Sequence, residues 1–134
     1  MNEIADFLRA RYAEVRHVAL KASGAPWTAD VPNTVHVDAR AIAESRGLRQ
    51  RGYVASAADA DYQEHIVRHD PAAVLADLDA KLAIVDLMDR TLDAAQGDSE
   101  VDHYGGLGAA EETLCRLAQP FAGHPDHKGE EWAP

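Results

Sequence analysis

The chain has 134 residues, 46% hydrophobic and 27% charged, the proportions of one soluble globular domain whose core needs no covalent staples. Thirteen Lys and Arg stand against 23 Asp and Glu, a net charge of −10 that opposes direct attraction to nucleic-acid phosphates and anionic lipid. The single cysteine, Cys115, excludes an internal disulfide; no stretch is apolar for long enough to span a bilayer, and Met1-Asn2-Glu3-Ile4-Ala5-Asp6 lacks a signal-peptide pattern, so a cytoplasmic location is expected.

Residues 1–23 read as a helix, because Ile4, Phe7, Leu8, Tyr12, Val15, Val18 and Ala19 recur at helical spacing. Asn2 is its cap, Glu3 and Asp6 suit the positive end of its dipole, and Gly24 with Pro26 ends it. The helical period then stops. Residues 25–55 form a small β region with strands around Trp27, at Thr34-Val35-His36-Val37 and at Tyr53-Val54-Ala55, with turn chemistry at Pro32-Asn33 and Arg51-Gly52. Residues 39–49 fit either a strand and loop or a short helix. Arg40, Arg46, Arg49 and Arg51 make a local basic patch, a solvated loop or a contact for phosphate or an acidic partner.

Residues 56–95 predict two helices joined at Asp70-Pro71. Ser56 is the expected cap of the first, with Ala58, Tyr62, Ile66 and His69 down one side. Asp70 caps the second, and Pro71 falls at its first position, where a fixed φ is favourable and the missing N–H costs nothing. That helix carries a broad apolar stripe of Val74, Leu75, Leu78, Leu82, Val85, Met88 and Leu92. A strict seam through Leu75, Leu78, Leu82 and Val85 next meets Asp89, which argues against a long coiled coil and leaves packing in a bundle or a homodimer open.

Residues 96–106 begin a polar, glycine-containing loop, and 107–134 hold a last helix and a tail. Leu107, Ala110, Leu114, Leu117, Ala118 and Phe121 mark the helix, Pro120 closes or kinks it, and Trp132 either pins the tail over the core or stacks on a ligand. The fold class is therefore α+β, mainly α: about four helices in a single domain, with a small antiparallel hairpin or meander between the first and second.

His65 and His69 lie four apart, so a helix puts both imidazoles on one face, where zinc could be shared. The segment lacks the His-Glu-x-x-His order of zinc hydrolases, and further ligands would come from His124, Asp126 or His127 in the tail. A corner joint explains the same residues: His69 closes one helix, Asp70 opens the next, and His65 is half-buried beside Tyr62 and Ile66. Arg68 then faces the tail acids Asp126, Glu130 or Glu131 as a docking contact. No catalytic residue is predicted. Cys115 sits in an apolar helix unsuited to a thiolate, and Gly105-Gly106-Leu107-Gly108 has neither a strand before it nor Lys-Ser/Thr after it.

Two longer motifs carry a resemblance. His65-Ile66-Val67-Arg68-His69-Asp70-Pro71-Ala72-Ala73-Val74-Leu75-Ala76 is one, and Leu117 to Asp126 with Glu130-Glu131-Trp132 is the other; Phe7-Leu8-Arg9-Ala10-Arg11 and Pro26-Trp27 agree with them. On these residues the chain resembles a family of short actinobacterial proteins catalogued as a domain of unknown function. The resemblance implies an intracellular protein of actinobacteria or their phages and brings no activity, cofactor or catalytic residue. This chain departs from the family at His127-Lys128-Gly129, where a tyrosine and an arginine are usual before the final acids. The expected function is an accessory or regulatory role through protein–protein binding. The rivals are a metal-dependent enzyme or metal-binding protein using His65, His69, His124 and Asp126, and an acidic mimic of nucleic acid.

Overall fold

The computed structural model describes residues 2–22, 25–38, 40, 52–95 and 105–134. Among them are helix α1 (Glu3–Lys21), strands β1 (Trp27–Thr28), β2 (Thr34–Val37) and β3 (Tyr53–Ser56), and helices α2 (Ala60–Arg68), α3 (Pro71–Ala95) and α4 (Gly106–Ala118). Two 3-10 turns, Gln119–Phe121 and Gly129–Trp132, follow. The class is α+β, mainly α, with a three-stranded antiparallel sheet in the order β1-β2-β3 between the first two helices. The chain gathers into two compact units, one of Met1–Val15 with Leu78–Pro134 and one of Arg16–Asp77.

In the first unit, α1 starts at the expected cap: Asn2 Oδ1 accepts the N–H groups of Ile4 (3.0 Å) and Ala5 (3.4 Å). Leu8, Val85 and Leu114 are fully enclosed, with Phe7, Tyr12, Leu78, Leu92 and Cys115 around them. The apolar seam of α3 runs into Asp89, which is nonetheless buried, at 5% exposure. Its carboxylate accepts the Asn2 N–H (3.0 Å) and Arg9 Nη2 (2.8 Å), so the buried charge is paired and hydrogen-bonded. Arg9 also donates to Asp86 through Nε (3.1 Å) and Nη2 (2.7 Å), and to Asp6 through Nη1 (3.1 Å). Burial would push the Asp89 carboxyl up, but the Arg9 and Asn2 hydrogen bonds and the neighbouring positive charges outweigh it and hold it below its ordinary range. The Asp86 and Asp89 hydrogen bonds raise Arg9 in turn.

In the second unit, Trp27 pairs with Val37 and Thr28 with His36 across β1 and β2. Thr34 pairs with Ser56 and Val35 with Ala55 across β2 and β3, and an irregularity then brings His36 opposite Tyr53. Asn33, with φ 60°, turns the chain into β2 at the expected Pro32-Asn33, a backbone conformation that asparagine tolerates. The segment 39–49 and the patch residues Arg46, Arg49 and Arg51 lie outside the described residues, apart from Arg40, whose N–H donates to Asp38 Oδ1 (2.8 Å).

Helix α2 departs from expectation twice. Its cap is Asp59, whose Oδ1 accepts the N–H groups of Asp61 (3.0 Å) and Tyr62 (3.1 Å), whereas Ser56 ends β3 with its hydroxyl bonded to Tyr53. Its buried residue is Gln63, at 6% exposure, while Tyr62 stands 61% exposed and His65 is exposed as well. The reason is polar: Gln63 Nε2 donates to the carbonyls of Ala29 (3.3 Å), Val31 (2.7 Å) and Thr34 (2.7 Å), which satisfies the buried carboxamide and ties α2 to the turn before β2.

The junction at Asp70-Pro71 forms as the sequence predicts. The His69 N–H reaches back to Ile66 O (3.1 Å), and Asp70 Oδ1 accepts the Ala73 N–H (2.7 Å). Asp70 Oδ2 accepts the N–H of Trp27 (3.0 Å), so the helix cap also holds β1. The predicted loop falls mostly on residues 96–104, outside the described residues; α4 begins at Gly106 and passes into the 3-10 turn that contains Pro120.

Candidate functional site

His65 and His69 stand on the exposed side of α2 in the second unit, with ring centroids 4.4 Å apart. His69 Nδ1 donates to the His65 carbonyl (2.8 Å), which uses one of its two nitrogens within the helix end. Arg68 pairs with Glu64 on its own helix, Nε at 2.9 Å and Nη2 at 2.5 Å. His124 and Asp126 belong to the first unit. Among the described residues, no group of three or more His, Cys, Asp or Glu side chains is gathered in a way that could hold a metal ion.

The tail is built around Phe7. Its ring lies 5.0 Å from Trp132, 6.2 Å from Phe121, 5.8 Å from His124 and 5.7 Å from His127, and the Arg11 guanidinium sits 5.2 Å above it. Trp132 is 4% exposed, so most of its ring is buried where the tail meets Phe7. Arg11 is buried between Glu14 (2.8 Å), Asp126 (3.5 Å) and His124, whose Nδ1 lies 2.8 Å from Nη1. A guanidinium has only donors, so the imidazole of His124 presents a lone pair to it. His124 Nδ1 further accepts the Asp126 N–H (3.1 Å), His127 Nδ1 accepts the Gly129 N–H (3.0 Å), and Lys128 bonds Glu3 (2.6 Å). Each contact ties a tail residue to its own turn or to α1.

A cavity of about 280 Å³ in the same unit is lined by Asn2, Glu3, Ile4, Glu111, Cys115, Glu131 and Trp132. Burial, together with Glu111 and Glu112, pushes the Cys115 thiol up, so it stays protonated and poorly nucleophilic. Lys128 lies within 4 Å of both Glu3 and Glu131, which neutralises part of the acidic lining.

A second apolar face lies on the outer side of α3. Leu78, Val85 and Leu92 are buried and Leu82 and Met88 half-buried, as the apolar stripe predicts. On the other side Ala80, Ala83, Ile84, Leu87 and Ala94 are all exposed, Ile84 at 40% and Leu87 at 51%. Asp79, Asp86 and Asp93, each seven residues from the next, are exposed along one edge of that side. Sequence reasoning assigned α3 one apolar stripe and missed the second. Its signal is in the sequence, because Ala80, Ala83, Leu87 and Ala94 fall on a three-and-four spacing of their own.

A family model described as a family of unknown function, DUF6221, matches residues 1–134. The chain belongs to that family. No curated protein and no solved structure matches the chain. Membership in DUF6221 brings no activity with it, so function has to be read from the surface of the protein itself. Among the described residues, no helix is long and apolar enough to cross a membrane.

Proposed function

We propose that this DUF6221 protein is an accessory or regulatory protein that acts by binding another protein, in the cytoplasm of an actinobacterium or of a cell carrying an actinophage. The contact is the outer face of α3 between Ala80 and Ala94. The supporting observation is the exposure of Ile84 and Leu87, three residues apart in the middle of a 25-residue helix that already buries an apolar face on its other side. With 40% and 51% of these side chains still exposed, covering each is worth about 0.6–1.5 kcal/mol, and the pair gives an interface its apolar centre. A net charge of −10 adds faster encounter with basic surfaces and discourages acidic ones.

Co-purification from the native host tests this reading. Wild-type protein and the I84D/L87D double variant are expressed at equal levels and isolated, and bound proteins are quantified by mass spectrometry. The expected result is a partner recovered with wild type and reduced at least tenfold with the variant. Partners recovered equally with both proteins would contradict the assignment.

A further inference from the structure

We infer that the outer face of α3 receives an amphipathic helix of a partner protein whose apolar seam is flanked by lysines or arginines, an inference that rests on the protein-binding reading above. Ala80, Ala83, Leu87, Arg90 and Ala94 follow one another at alternating intervals of three and four, the spacing at which the side chains of two helices interlock, and all five are exposed. Three of the five are alanines, so a second helix axis can approach to about 8 Å, with Leu87 and the adjoining Ile84 as the projecting side chains. Arg90 already lies back along the helix, its Nε donating to Asp86 O (3.1 Å), and its aliphatic stem can cover the seam without burying its charge.

Charge decides what the second helix carries. Asp79, Asp86 and Asp93 run along one edge of the seam, about 10.5 Å from one to the next at 1.5 Å per residue. Arg9 fixes the middle one in place at 2.7 Å, and Asp86 is still 56% exposed at its side chain. The opposite edge holds Asp77, Ile84 and Thr91, one carboxylate against three. A second copy of this chain complements the face poorly. An antiparallel pair would set the aspartate row against its own counterpart, and a parallel pair would set it against Asp77, Ile84 and Thr91. A partner helix with Lys or Arg at matching heptad positions meets the row on one side and covers Ile84 and Leu87 beside it.

The test uses a displayed library of 21-residue helix-forming peptides, with Ala, Leu or Ile at seam positions and Lys, Glu or Ser at flanking positions, selected on the full chain. Enriched peptides are expected to carry Lys along one flank, to bind wild type at least tenfold more tightly than L87D, and to lose the Lys preference on D79K/D93K. Enrichment without a basic flank, binding unchanged by L87D, or no enrichment at all would overturn the inference. A wild-type dimer dispersed by L87D in sedimentation would overturn it too, by giving the face to a second copy. A host partner that depends on Leu87 but contacts it without a basic helix would remove this inference and leave the protein-binding reading standing.

Discussion

The carboxylate of Asp70 accepts two backbone N–H groups from different parts of the chain, Ala73 at 2.7 Å through Oδ1 and Trp27 at 3.0 Å through Oδ2. One oxygen caps α3 and the other anchors the start of β1. At 8% exposure the carboxylate can leave neither N–H to water if it is removed. The Asp70→Ala variant is therefore expected to lose about 2–3 kcal/mol, roughly 1 for the cap and the rest for the Trp27 N–H. Replacing the exposed His65 and His69 together by alanine changes stability by less than about 1 kcal/mol. Urea unfolding of the two variants checks the contrast: an equal loss would mean that the imidazoles, and not Asp70, hold the joint.

Arg9 and Asp89 give the protein an acid-sensitive tie. Asp89 is held below its ordinary value in the folded state, so its contribution is complete above about pH 4 and is lost as pH falls through the lower folded value. Asp89→Asn removes that dependence. At neutral pH the variant should be about 2 kcal/mol less stable, below the 3–5 typical of an orphaned buried charge because Arg9 keeps Asp86 and Asp6. The gap between the denaturant midpoints of the two proteins should narrow as pH falls from 7 towards 2.5. Parallel curves would refute the linkage.

Trp132 carries the tail. Trp132→Ala is expected to cost about 3–5 kcal/mol, whereas Trp132→Phe keeps most of the contact with Phe7 and costs less. Thermal melts of the two variants measure the difference, and a loss below about 1 kcal/mol for alanine would show that the tail is not part of the fold.

Much of this architecture is legible from apolar spacing and end signals. Asn2, the Asp70-Pro71 pair and Pro120 bound their helices where the sequence places them, because caps and proline act over one turn. The misses share one cause. Periodicity counts an apolar residue as buried, so it chose Tyr62 over Gln63 and read Asp89 as the end of a seam. Gln63 can be buried because its carboxamide bonds carbonyls 29 to 34 residues away, and Asp89 because Arg9, 80 residues away, pairs with it. Such partners are invisible in a local window. Arg68 has a local acid as well, Glu64, four residues back on its own helix.

Ile84 and Leu87 face outward, so the I84D/L87D variant should unfold within about 0.5 kcal/mol of wild type. Circular dichroism and urea titration check this. A loss of several kcal/mol would mean that these residues belong to the core and would remove the face from consideration as a binding surface.

The most direct measurement is site-specific photo-crosslinking in the native host, with a benzophenone amino acid at position 87 and, as a control, at the exposed Tyr53. A discrete adduct with one protein is expected from position 87 and none of it from position 53. No adduct at 87, or the same adducts from both positions, would contradict the protein-binding reading.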